Sequence, residues 1–197
     1  MGKKRAIIVH GWQGYPEEGW FPWLQEQLEQ AGWDVQVHAM PRPEAPDIHV
    51  WVETLKQLIG TPDEDLILVG HSIGCQTIMR VLEDLPEDIH VGGAVFVAGW
   101  FTLQNLETDD ERMIAQPWIE TPLDFEKIRA HASTFKVILS DNDLWVPLVS
   151  TRQMFETSLR ASVSVEEGKG HLGGGDGVIE LPSVLEAVFA IAEHHGT

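Results

Sequence analysis

Four short runs dominated by apolar, often β-branched residues set the frame of this chain: Ala6–Val9, Leu66–Val69, Val91–Ala98 and Phe135–Leu139. Each has the length of a strand rather than a helix. Val35 with Val37, and Val163 with Val165, alternate with polar neighbours as two further strands. Helical spacing fills the intervals. Pro22 opens a helix with Trp23, Leu24, Leu28 and Ala31 on one face, and Gly32 stops it. Asp47 caps a second helix with Ile48, Trp51, Val52, Leu55, Leu58 and Ile59 apolar. Ile78, Val81 and Leu82 mark a third, and residues 124–132, 149–159 and 182–194 read as three more. Strands that alternate with helices and are apolar throughout belong to a parallel sheet covered on both faces. Only Trp100–Pro122 shows no clean period, and it reads as a short cap or lid.

In a sheet of this kind ligands sit beyond the carboxyl ends of the strands. The residues that follow each run are therefore the ones to inspect. Gly70-His71-Ser72-Ile73-Gly74 follows the third strand and precedes a helix, and it fits G-x-S-x-G. In that context the serine hydroxyl is presented at the sheet edge. The glycines, lacking Cβ, let strand and helix close on the turn. The Ile73 N–H, at a helix N-terminus, is placed to hold an oxyanion.

Asp141 and Asp143 follow the fifth strand, His171 follows the sixth, and His10-Gly11-Trp12 follows the first. A serine hydroxyl needs a base to act as a nucleophile at neutral pH. An imidazole, with an ordinary pKa of about 6.5, is the suitable acceptor. His171 is the expected base, with a carboxylate on its other nitrogen to fix the tautomer. Spacing leaves Asp141 and Asp143 as equal candidates for that carboxylate. The Trp12 N–H is the expected second oxyanion donor. His10 and His71 are expected to support the turns, His131, His194 and His195 to lie at the surface, and Cys75 to pack.

Eight tryptophans are many for this length. Trp12, Trp100 and Trp145 each follow a strand, and Trp118 lies in the aperiodic segment. These four are expected to line an aromatic pocket for an apolar acyl or aryl group. Trp23, Trp33 and Trp51 are expected in the core. Gly168-Lys169-Gly170-His171-Leu172-Gly173 also fits G-x-G-x-x-G, but it lies late in the chain and opens no helix. No Walker loop, zinc spacing or EF-hand loop occurs, so neither a metal nor another cofactor is expected.

The 197 residues suit one domain, residues 1–197, with 43% hydrophobic residues to fill its core. Thirteen basic against 31 acidic residues leave a net charge of −18. Such a surface repels phosphates and argues against nucleic acid or an anionic membrane as a partner. Cys75 is the single cysteine, which rules out an internal disulfide and fits a reducing compartment. The apolar run after Met1–Arg5 is too short for a secretory signal, and no run approaches the ~18 apolar residues of a membrane span. A cytoplasmic protein is expected, as a monomer or weak homodimer acting on a small molecule.

Taken together, six stretches resemble the small serine hydrolases grouped with retinoblastoma-binding protein nine and bacterial YdeN-like proteins. They are His10-Gly11-Trp12, Met40-Pro41-Arg42-Pro43, Gly70–Gly74, Phe125-Glu126-Lys127-Ile128, Asp143-Leu144-Trp145-Val146-Pro147 and Gly168–His171. The resemblance implies a compact α/β-hydrolase fold with little or no cap. Its sheet would be mostly parallel and six-stranded, in the order 2-1-3-4-5-6, with helices on both faces. It also implies that the triad acid is Asp143, the aspartate just before a hydrophobic-Val-Pro turn. The family usually has proline directly after that aspartate, where this chain has Leu144. The L-x-C-x-E motif behind the name-giving protein binding is absent.

The reaction class expected from these residues is hydrolysis of small carboxylic esters through an acyl-enzyme on Ser72. An amidase or aminopeptidase-like enzyme would use the same residues and is favoured by an acidic rim able to hold a substrate amine. A binding protein with inert catalytic residues would show an occluded Ser72, or Asp143 turned away from His171.

Overall fold

The computed structural model describes residues 2–194; His195 and the side chain of His194 lie outside the described residues. Six strands, β1 (Arg5–Val9), β2 (Asp34–Val37), β3 (Leu66–His71), β4 (Gly93–Val97), β5 (Phe135–Ser140) and β6 (Ser162–Glu166), form one sheet. Its order is β2-β1-β3-β4-β5-β6, and every pairing is parallel. This is the expected order.

Successive side chains of a strand point to opposite faces, and the core divides accordingly. Ile7, Val9, Leu66, Leu68, Phe96, Val137 and Leu139 face one layer. That layer holds α2 (Ile48–Ile59), α3 (Ile73–Glu83), α4 (Asp109–Glu120), α5 (Phe125–His131) and α6 (Leu148–Ser158). Ala6, Ile8, Ile67, Val69, Val95, Val97 and Ile138 face the other, with α1 (Phe21–Gln30) and α7 (Pro182–His194). Each buried aliphatic side chain contributes about 1.5–3 kcal/mol, so the central strands β1, β3 and β4 are held from both sides. Among the described residues, no helix is long and apolar enough to cross a membrane.

Two expectations are corrected. The aperiodic segment contains a regular helix, α4. It starts with a capping box in which the Thr108 side chain accepts from the Glu111 N–H and Glu111 reaches back to the Thr108 N–H. Only Ala115 and Trp118 of this helix are buried, and Pro117 interrupts its pattern, so it carries almost no apolar stripe. His131 is not a surface residue. It is 3% exposed, and its Nδ1 lies 2.7 Å from the Ile89 carbonyl oxygen, at the close of α5.

Candidate active site

Ser72 occupies the junction of β3 and α3 with φ 52° and ψ −120°. Backbone of this kind costs about 1–3 kcal/mol in a residue with a side chain. The cost is met by two backbone hydrogen bonds, Ser72 N–H to Val97 O at 2.9 Å and Cys75 N–H to Ser72 O at 3.0 Å. The flanking glycines are required by close approach. A Cβ on Gly74 would stand 2.4 Å from Val9 O, and one on Gly70 would stand 2.8 Å from the Cys75 nitrogen. Cys75 itself is buried, its thiol pushed up in pKa by burial, and packs in the core.

His171 arrives on the loop after β6, and that loop is tied to the loop after β5. Gly168 N–H donates to Asp141 Oδ1 at 2.8 Å, and Gly170 N–H donates to Asn142 Oδ1 at 2.8 Å. Lys169 N–H donates to Ser140 Oγ at 3.3 Å, and the His171 N–H itself donates to Asp176 Oδ2 at 2.8 Å. Gly170 has φ 57° and sits so close to Asp176 that a Cβ would fall 2.2 Å from its Oδ1.

The result is a continuous hydrogen-bonded chain. Ser72 Oγ lies 2.8 Å from His171 Nε2, and His171 Nδ1 lies 2.7 Å from Asp143 Oδ2. An imidazole that gives its Nδ1–H to the carboxylate leaves on Nε2 a lone pair able to accept a hydrogen bond from the Ser72 hydroxyl. The Asp143 side chain is 2% exposed. Its other oxygen accepts from the Trp145 N–H at 2.9 Å and the Val146 N–H at 3.0 Å. Leu144 therefore stands in a turn that holds its shape through the aspartate. Asp141 faces Gly168, and the geometry separates the two candidates: Asp141 anchors a loop, whereas Asp143 meets the imidazole.

His10 and His71 lie beneath this chain. His10 Nδ1 is 2.8 Å from Gly11 O, and its Nε2 accepts from the Met40 N–H at 2.8 Å. Burial lowers its pKa. His71 Nε2 lies 2.9 Å from the backbone oxygen of His171. Burial first, and then the nearby His171 ring, pushes its pKa down to about 3. Both rings are neutral props, one under the loop after β1 and one under the loop carrying His171.

Gly11 packs against the serine turn, since a Cβ there would lie 3.3 Å from Ser72 Cβ. This places the start of the loop that carries Trp12 directly on the serine turn. Among the described residues, neither the Trp12 nor the Ile73 N–H donates to a protein carbonyl.

A cleft of about 430 Å³ opens over Ser72 and His171. Trp12, Trp100, Trp145, Leu103 and Leu106 line it, together with the carboxylates of Glu18, Glu111 and Asp176 and no lysine or arginine. Trp118, expected in this lining, is elsewhere. It is 1% exposed, packs edge-on against Trp51 and gives its indole N–H to Pro46 O at 3.1 Å. It is a core residue because α4 turns its one apolar face inward.

Glu18 was not singled out by its sequence, since it sits in a loop without a motif. Glu111 accepts from the N–H groups of Glu107 and Thr108, Asp176 accepts from that of His171, and Glu18 is held by the backbone of Tyr15 and Gly174. Glu18 is half-buried, and burial raises its pKa against the opposing pull of the Tyr15 and Gly174 backbone and of His171.

Comparison with known proteins agrees with this architecture. Residues 6–190 match the family model described as serine hydrolase. The chain is 31% identical over 186 residues to the putative hydrolase YdeN of Bacillus subtilis (strain 168), covering 94% of each. It is 28% identical over 146 residues to the serine hydrolase RBBP9 of Rattus norvegicus, covering 73% of this chain and 74% of that protein. The crystal structure of the B. subtilis ydeN gene product superposes with a TM-score of 0.88 at 28% identity, over 97% of this chain and 100% of that one. Est1E of Butyrivibrio proteoclasticus, at 16% identity, shares the fold with a TM-score of 0.70 over 97% of this chain and 88% of its own. With its parallel six-stranded sheet and its serine at the turn after β3, the chain belongs to the serine hydrolase family, on an α/β-hydrolase fold.

Proposed function

We propose that this protein hydrolyses small carboxylic esters through an acyl-enzyme on Ser72. The observation that carries the reading is the chain from Ser72 Oγ through His171 to Asp143, with both links under 3 Å. His171 Nε2 takes the hydroxyl proton as Oγ bonds to the ester carbonyl carbon. The Trp12 and Ile73 N–H groups receive the oxyanion. The C–O bond to the leaving group then breaks, and His171 returns the proton to the departing alkoxide. Water repeats the sequence on the acyl-enzyme, with His171 again as base, and releases the acid. Asp143 keeps the imidazole in one tautomer and stabilises the imidazolium. On this reading residues 1–197 are one catalytic domain, and the segment 100–122, with α4, is its short cap.

The apolar part of the cleft suits an acyl or aryl group. Its acidic part favours a second reading within the same chemistry, hydrolysis of amine-bearing amides or esters, because Glu18 offers a half-buried carboxylate to a substrate ammonium. An inert binding protein has no use for Asp143 turned toward His171.

The test is a kinetic panel of short-chain and aryl esters against amino-acid anilides, run with wild type and Ser72→Ala. Ester turnover that disappears in the variant supports the first reading. Turnover confined to the anilides selects the second. Equal turnover by both proteins refutes the assignment of Ser72.

A further inference from the structure

The indole of Trp100 differs from the others of this chain in its partner. The indole N–H groups of Trp12, Trp20, Trp51 and Trp118 all donate to backbone carbonyls. Trp100 Nε1–H donates instead to Ser72 Oγ, at 3.3 Å. A carbonyl is the usual way to satisfy a buried indole. Here the ring is 1% exposed and its polar edge is spent on the nucleophile.

We propose that the Trp100 N–H is a catalytic hydrogen-bond donor to the Ser72 oxygen, held in place by Gln76 and Arg80; the proposal rests on Ser72 being the nucleophile. A serine hydroxyl has one proton and two lone pairs. The proton goes to His171 Nε2 and the Trp100 N–H takes one lone pair. One lone pair is left for attack, so the hydroxyl has no freedom to turn. When the acyl-enzyme collapses, the C–Oγ bond breaks and its electron pair returns to Oγ. His171 supplies the proton, and the Trp100 N–H stabilises the charge building on that oxygen before the proton arrives.

The support behind Trp100 is unusual for a core. Gln76 Nε2–H donates to the Trp100 backbone oxygen at 2.5 Å. Gln76 Oε1 accepts from Arg80 at 3.0 Å. Arg80 is 5% exposed, has no carboxylate within ion-pair distance among the described residues, and gives its second terminal nitrogen, Nη2, to Trp118 O and Thr121 O, each at 3.0 Å. Its charge rests on the carbonyl end of α4, where the helix dipole favours a cation. A buried polar row thus runs from the end of α4 through α3 to the residue that touches Ser72. Packing alone would be served by apolar residues at positions 76 and 80.

The experiment replaces Trp100 site-specifically by 3-benzothienylalanine, which keeps the ring shape and puts sulfur where the N–H was. Trp100→Phe is the second variant. Both are assayed on p-nitrophenyl butyrate, with thermal unfolding as the check on folding. The isostere is expected to lower kcat about tenfold, less than the roughly 10²–10³ lost with an oxyanion-hole donor because the 3.3 Å contact is long, with KM within about twofold of wild type. Gln76→Met is expected to lower kcat in the natural background and to have no further effect on the isostere. An isostere with wild-type kcat, including the case where only Trp100→Phe is slow, overturns the proposal and assigns Trp100 to packing. Additive effects of Gln76→Met and the isostere overturn the role of Gln76. Wild type that fails to turn over through Ser72 refutes the underlying reading rather than this one.

Discussion

Asp143 and Asp141 lie two residues apart on one loop, yet only Asp143 reaches His171, with Oδ2 2.7 Å from Nδ1, while Asp141 Oδ1 accepts the Gly168 N–H at 2.8 Å. The two carboxylates divide the work of positioning one histidine, one on its ring and one on its loop. Asp143→Asn leaves an amide that presents the wrong partner to Nδ1, and kcat should fall by about 10⁴. Asp141→Asn keeps an acceptor for Gly168, and kcat should stay within about threefold, on the scale of a modest loss in a single hydrogen bond. Steady-state kinetics on one ester compares them. Equal losses would mean that the ring contact is not special.

His71 makes stability fall in mild acid. Its folded pKa of about 3 lies below the ordinary 6.5, so between those values the unfolded chain binds a proton that the folded chain refuses. That stability is present above about pH 6.5 and is lost as pH falls toward 3, by about 2 kcal/mol between pH 7.5 and 5 from this residue. His71→Gln, which can still donate to the His171 carbonyl, should flatten that part of the curve. Denaturant unfolding at pH 7.5 and pH 5 measures both slopes. Parallel pH dependence in the two proteins would show that His71 is not the group responsible.

Gly74→Ala tests the packing behind the serine turn. The added methyl meets the backbone oxygens of Val9 and His10, at 2.4 and 2.8 Å, and no flexible side chain can yield. Overpacking of this kind costs about 1–3 kcal/mol, which in a chain of this size lowers Tm by about 2–12 °C. The strain falls on the turn itself, so kcat should drop with it. An unchanged Tm would mean that β1 and α3 are less closely apposed than described.

Glu18→Gln separates the two kinds of substrate. A hydrogen bond to a charged group contributes about 1.5–3 kcal/mol, so KM for an ammonium-bearing ester should rise by about tenfold or more. KM for its neutral analogue should not change. The two KM values, taken in parallel, are the measurement. Equal changes for both substrates would remove Glu18 from recognition.

Much of this architecture was legible because it is written locally. The unbroken apolar runs of β1, β3 and β4 announce a sheet buried on both faces, and G-x-S-x-G between a strand and a helix announces its turn. Positions beyond the strand ends led to Ser72, His171 and the pair of aspartates. What could not be read depends on contacts between distant segments. Trp100 and Trp118 were both expected in the cleft lining, but Trp100 stands in the loop after β4 and lines it, whereas Trp118 is rolled into the core by α4. That helix is held by its capping box and by Arg80 rather than by an apolar stripe, so periodicity missed it. Glu18 carries no motif and joins the cleft only because the loop after β1 folds beside Gly173 and Gly174. His131 is buried by a carbonyl contact with Ile89, which no local pattern encodes.

The most direct test of the central claim is intact-mass analysis after reaction with a fluorophosphonate, on wild type and on Ser72→Ala. The account predicts a single adduct on wild type, mapping to Ser72, and none on the variant. A folded wild type that takes up no adduct, or a variant that labels equally, would contradict it.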